Sequence, residues 1–216
     1  MWASTNQAML GSVTDGDSSI EVVYKPTRGE QPLHDFPIGT LTRREVAAFL
    51  VSDATGWDIV PSTVLRDGPF GEGMVQEWIE PDEDVDVVAM ILADDERLRP
   101  MAIFDAIVNN TDRKGGHILM LPSGAIRGVD HGVTFSTHPK LRTVLWGWRG
   151  SPLSNDEIAI VRAVRDALGD HLGNAMRELL AADEVRATMA RTEALLEVGV
   201  FPQPPLDWPA VPWPPY

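Results

Sequence analysis

Phe104-Asp105-Ala106-Ile107-Val108-Asn109-Asn110-Thr111-Asp112-Arg113-Lys114-Gly115-Gly116-His117 is an apolar run that spills into a polar, glycine-containing loop. Leu98, Met101, Phe104, Ile107 and Val108 recur as on the buried side of a helix. Loops hung from a rigid element in this way are where reactive groups tend to sit. His117 then opens a strand, and Gly128-Val129-Asp130-His131-Gly132 leaves the strand that follows, so residues 117–130 read as a hairpin. A two-residue Ser123-Gly124 turn would set His117 opposite Asp130, on one face, with Cβ atoms roughly 5 Å apart. An imidazole and a carboxylate at that distance can share a divalent cation. A slip of one residue would put them on opposite faces. Asp112 lies on the loop at the same end of this hairpin.

Upstream, residues 7–13 and 20–25 flank Thr14-Asp15-Gly16-Asp17 and predict a first hairpin. Thr42-Arg43-Arg44-Glu45 has capping-box spacing, ahead of Val46, Phe49 and Leu50 at helical intervals and Gly56 as the stop. Two further strands, 59–65 and 73–79, surround Arg66-Asp67-Gly68-Pro69. Glu80, Asp82, Glu83, Asp84 and Asp86 mark a change of composition, and the boundary between two lobes is expected there.

Downstream, residues 85–92 are helical in pattern, and residues 155–198 predict two or three helices. The last fifteen residues hold seven prolines, so an extended strap is expected, held to the body by Trp208 and Trp213. Trp146-Gly147-Trp148 reads as core or as the seat of that tail. The fold class is therefore α+β. An N-terminal antiparallel sheet with one helix occupies residues 1–80, a mainly helical lobe with a hairpin residues 81–201, and a Pro/Trp-rich tail residues 202–216.

The 216 residues include 18 Lys+Arg and 32 Asp+Glu, a formal net charge of −14. That balance argues against nucleic acid as a partner, since counterion displacement needs cationic surface, and against a polybasic grip on an anionic leaflet. With no cysteine, thiolate metal sites, disulfides and cysteine nucleophiles are excluded. Neither a signal segment nor an unbroken apolar span is visible, so a soluble, cytoplasmic protein without an integral membrane segment is expected.

Asn110-Thr111-Asp112-Arg113 followed by Gly128-Val129-Asp130-His131-Gly132 resembles the catalytic and metal-binding loops of the phosphatidylinositol 3-/4-kinase-like proteins, whose atypical kinase plan the HipA-like kinases share. Nearly the whole chain is similar to the short actinobacterial SCO-type phosphatidylinositol-kinase-related proteins. That similarity lies in Tyr24-Lys25-Pro26, Gly29-Glu30, Asp35-Phe36-Pro37, Gly39-Thr40-Leu41 and Pro212-Trp213-Pro214. The resemblance implies a small bilobal kinase-like fold that uses ATP with Mg²⁺ or Mn²⁺. It implies that Lys25 contacts the nucleotide phosphates, that Glu45 pairs with Lys25, and that Gln76, Glu77, Trp78 and Ile79 form a hinge against adenine. Asp112 would orient or deprotonate the acceptor hydroxyl, and Asp130 would ligate the metal. His117 falls where kinases usually place an asparagine ligand. Such a division of labour suits phosphoryl transfer, which needs positioning, cations and a base.

Two positions depart from the family pattern. A histidine ligand at 117 suits Mn²⁺ better than Mg²⁺. Ser4-Thr5-Asn6 resembles the end of a phosphate-covering loop, placing Ser4 and Asn6 near the nucleotide, yet the strand before that loop is not in the sequence. Either the chain starts late or the roof over the nucleotide is incomplete. Three functions follow: a phosphotransferase acting on a protein Ser/Thr, on itself or on an inositol lipid; an impaired kinase that binds nucleotide or a protein partner without turnover; and a metal-dependent hydrolase using His117, Asp130, His131 and Asp112. Each residue also has a plainer reading: Lys25 as an exposed strand lysine, Glu45 as a helix cap, Asp112 and Asp130 as turn residues. Arg113 and Lys114 either neutralise phosphate or form a solvated loop, and His131 is either structural or a support to the metal ligands.

Overall fold

The computed structural model describes residues 8–216. Four strands form one antiparallel sheet: β1 (Met9–Asp15), β2 (Ser18–Pro26), β3 (Thr63–Gly68) and β4 (Gly71–Glu77), in the order β1-β2-β4-β3. Asp15 pairs with Ser18 across a tight turn in which Gly16 takes φ 57°, a conformation open to glycine. The sheet faces differ. Val22, Tyr24 and Val75 form a small cluster with Met9 and Val13 on one face. Lys25 and Met74, a cross-strand pair, lie on the other.

That second face receives α1 (Leu41–Thr55). Thr42 does not cap this helix as the sequence spacing predicts, because it already lies inside it. Glu30 reaches in from the preceding loop instead, its Oε1 accepting the Thr42 N–H at 2.8 Å. A carboxylate there satisfies one of the orphan donors of a helix start. Gly56, at φ 67°, ends the helix as expected. Arg44 of α1 is fully buried, donating to Thr134 O at 2.7 Å and to Glu184 at 2.5 Å.

The helical lobe comprises α2 (Val87–Leu92), α3 (Arg99–Val108), α4 (Asn155–Leu168), α5 (His171–Arg177) and α6 (Ala182–Val198). Its core is built on α3, whose Ile103, Phe104, Ile107 and Val108 are wholly buried. Ala47, Ala48 and Val51 of α1 belong to this same core. Among the described residues, no helix is long and apolar enough to cross a membrane.

The hairpin of this lobe pairs β5 (Ile118–Met120) with β6 (Ile126–Gly128), and Ile118 faces Gly128. The register differs by one residue from the expected one. Leu121 and Ala125 close a three-residue loop, Pro122-Ser123-Gly124, with Gly124 at φ 83°, a known three-residue hairpin solution. His117 therefore faces Val129, whose N–H it accepts at 3.0 Å.

The tail packs against the helical lobe through a series of bends rather than as the extended strap the prolines predict. Trp208 anchors it, under Lys140 at 4.9 Å. Trp213 does not: it is 87% exposed, and buried Pro212 takes the inward place. Trp148 is core, while Trp146 donates its indole N–H to Ala210 O of the tail at 2.8 Å.

Candidate active site

Lys25 projects from β2 towards α1 and is mostly buried, its Nζ lying 2.8 Å from Glu45 Oε1 and 2.9 Å from Asp130 Oδ1. Burial works against its charge, but the two carboxylates outweigh it and hold the Lys25 pKa above the ordinary lysine range. Glu45 is 2% exposed; its Oε2 accepts the His131 N–H at 2.7 Å. Burial, helped by the neighbouring Asp130 charge, pushes the Glu45 carboxyl up against the pull of Lys25. The cap reading of Glu45 and the exposed-strand reading of Lys25 are both overturned.

Asp130 meets His117 despite the shifted register. Both residues stand beyond the ladder: His117 closes a 3-10 turn over Gly115–His117, and Asp130 takes a left-handed φ of 62°. That backbone turn aims the carboxylate back, so His117 Nε2 and Asp130 Oδ2 come within 3.5 Å. A non-glycine residue at positive φ is rare, and such strain collects at functional positions. Against the penalty of partial burial, Lys25 and His117 hold the Asp130 carboxyl well below the usual carboxylate range. Burial lowers the His117 pKa, although Asp130 pulls the other way.

Asp112 sits in the loop after α3, where Asn110 Oδ1 accepts its N–H at 3.0 Å. Two cations flank its carboxylate: Lys114 Nζ at 3.0 Å and Arg142 at 3.3 Å. Asp112 and Asp130 line one cavity of about 300 Å³ together with Gln31, Asp35, Arg142 and Trp208. That volume is at the small end for a ligand site.

Arg113 is not available to a phosphate. It is wholly buried, forked onto the equally buried Asp105 at 2.9–3.3 Å, and donates to His117 O and Val129 O. Its remaining partner is His131 Nε2 at 2.6 Å. One guanidinium thus fastens the Asp112 loop to both ends of the hairpin. His131 is fully buried; burial first, then Arg113, holds its pKa well below the ordinary histidine value.

The hinge residues split. Gln76 is buried and donates to Thr63 Oγ1 at 2.8 Å, and the N–H groups of Glu77 and Trp78 go to Ser62 O and Glu21 O. Those two backbone donors are therefore spent within the protein, while the Glu77 and Trp78 side chains are exposed and Ile79 is half-buried. Ser4 and Asn6 lie outside the described residues. Arg142 and Asp105 carry weight the sequence reading did not give them. A basic Lys140-Leu141-Arg142 step in so acidic a chain was the available signal for Arg142. Buried Asp105 reads as an ordinary helix residue from sequence.

No family model matches the chain. Protein Rv2133c of Mycobacterium tuberculosis is 40% identical over an alignment of 247 positions that spans 96% of this chain and 89% of that protein. Among solved structures, the Helicobacter pylori proinflammatory kinase CtkA superposes with a TM-score of 0.52 at 10% identity, over 93% of this chain and 90% of that one. The fold is kinase-like.

Proposed function

We propose that this chain, which belongs to the family of the Mycobacterium tuberculosis protein Rv2133c, is an ATP-dependent phosphotransferase of the phosphatidylinositol 3-/4-kinase-like, HipA-like type. One observation carries the reading: Lys25 reaches both Glu45 of α1 and Asp130 of the hairpin exit, at 2.8 and 2.9 Å, beside a cavity that also holds Asp112. A cation fixed between two carboxylates, one of which lines a cavity with a third, is a layout suited to positioning a triphosphate and its metal.

In this reading Lys25 holds the ATP phosphates and Glu45 keeps it extended towards them. Gln76, Glu77, Trp78 and Ile79 border the adenine. Asp112 accepts the proton of the acceptor hydroxyl, and Lys114 and Arg142 beside it offset charge gathering on the transferred group. Asp130 and His117 would hold Mg²⁺ or Mn²⁺. Among the described residues no group of three or more His, Cys, Asp or Glu could hold an ion alone. Two protein donors suit a cation whose other ligands are phosphate oxygens and water. When bound, that cation neutralises the phosphates. The hydrolase reading is disfavoured at His131, which is wholly buried with Nε2 on Arg113. Residues 1–80 serve as the nucleotide lobe, 81–201 as the catalytic lobe and 202–216 as the tail of a cytoplasmic protein. The acceptor is a protein Ser/Thr, the chain itself or an inositol lipid.

ATP consumption by the purified chain, in Mg²⁺ and separately in Mn²⁺, tests the reading, with Asp130→Ala as control. Turnover that disappears in the variant is the expected result. ATP binding without turnover in either metal would select the impaired-kinase reading.

A further inference from the structure

The loop of Asp112 is held from outside on two sides, once through residues 140–143, which lean on the tail, and once by the tail itself. On one side, Arg142 donates Nε to Thr111 O at 2.7 Å and a terminal N–H to Asp112 Oδ1 at 3.3 Å. Its guanidinium rests over the Trp208 ring at 6.0 Å, next to Lys140 at 4.9 Å. The neighbouring Thr143 donates its N–H to Ala210 O at 3.0 Å. On the other side, Gly115 donates its N–H to Pro215 O at 2.8 Å. The Tyr216 ring packs so closely there that a Cβ at Gly115 would meet it at 2.7 Å. The tail thus touches the catalytic loop after Asp112 and, through Arg142, before it.

By contrast, the described hydrogen bonds and ion pairs of Lys25, Glu45, Asp130 and His117 include no tail residue. The large core also closes without the tail: its last member is Phe201. A segment that lies outside that cluster yet brackets one loop is placed to act on that loop.

We propose that residues 207–216 are a clamp that positions Asp112, with Trp208 as its positioning residue through Arg142. The clamp itself stands on the contacts above; its consequence for phosphoryl transfer rests on the function proposed above. Removing it would free the base while leaving the Lys25 contacts with Glu45 and Asp130 in place. A misplacement of about 1 Å in a reacting group costs on the order of a hundredfold in rate.

The test compares the full chain with one ending at Leu206, by amide hydrogen exchange, by ATP affinity and by ATP turnover. Exchange at Gly115 and Thr143 should accelerate about tenfold or more, while the Trp78 amide, bonded to Glu21 O in the sheet, keeps its rate. Turnover should fall about a hundredfold, with ATP affinity changing far less. A synthetic peptide of residues 207–216 added back should slow both amides again and restore turnover. Unchanged exchange at Gly115 and Thr143 would overturn the clamp, as would a loss of ATP affinity in step with turnover. If the shortened chain does not fold, Trp208→Ala carries the test at Thr143, since it removes no backbone. A full chain that consumes no ATP counts against the phosphotransferase reading alone, and the exchange measurement still decides the clamp.

Discussion

Glu45 and His131 are joined across the molecule: the carboxylate of a helix that packs on the sheet accepts, at 2.7 Å, the backbone N–H of the residue after Asp130. Its second oxygen holds Lys25 at 2.8 Å. Glu45→Ala strands a buried N–H and leaves a mostly buried ammonium with one partner fewer. The cost expected in urea unfolding is about 3 kcal/mol. Glu45→Gln, which keeps an acceptor oxygen, should cost about half of that.

Asp112 and Asp130 should separate by assay. Asp130→Ala is expected to abolish binding of metal–ATP in titration calorimetry. Asp112→Ala should leave that binding intact and reduce transfer by about a hundredfold or more, the usual contribution of a positioned base. Equal ATP affinity in the wild type and Asp130→Ala, with metal present, would refute the assignment.

His117→Asn replaces a nitrogen ligand with an oxygen donor. The ratio of turnover in Mn²⁺ to turnover in Mg²⁺ should fall in this variant, because Mg²⁺ favours oxygen. A ratio that does not change would remove His117 from the metal site.

Asp105 and Arg113 form an ion pair with neither partner exposed. Asp105→Ala leaves a buried guanidinium uncompensated and should cost about 3–5 kcal/mol of stability. Arg113→Lys should also destabilise, since a single ammonium cannot serve Asp105, His117 O, Val129 O and His131 at once.

Acid should weaken the fold through His131. Arg113 can only donate, so Nε2 accepts and the ring is neutral. The folded pKa lies well below the ordinary 6.5, so the unfolded chain takes up a proton that the native one refuses. Stability is then complete above that value and declines as pH falls below it, by at most about 1.4 kcal/mol per pH unit for this group. Urea midpoints measured from pH 7 downward should show the decline, and His131→Asn should flatten it.

Local signals in the sequence carried the architecture well. The apolar spacing of α3, the turn at Gly16 and the Gly56 stop each read directly from neighbouring residues. What stayed hidden depended on distant partners. Glu45 has the spacing of a cap, and only the approach of Lys25 and His131 shows its use. The His117–Asp130 meeting was expected for a reason that fails, since the register is shifted. It occurs because Asp130 adopts a left-handed backbone that no pairing rule predicts. Arg113 reads as a loop cation, and its burial follows from Asp105, eight residues back on α3. Trp213 reads as an anchor like Trp208, yet it is exposed and Pro212 is the buried residue beside it.

The burial of α1 bears on how such a protein could be controlled. In protein kinases the helix that carries the glutamate partner of the lysine is positioned by regulatory events. Here Ala47, Ala48 and Val51 sit at zero exposure inside the larger core, and Arg44 is locked to Thr134 and Glu184. Swinging α1 outward would expose these side chains and unpair a buried guanidinium, at a cost of roughly 5 kcal/mol or more. An equilibrium displaced by that much keeps the swung-out form below about one molecule in a thousand. The Lys25–Glu45 alignment is therefore a constant of this fold, and any on–off behaviour has to be built elsewhere.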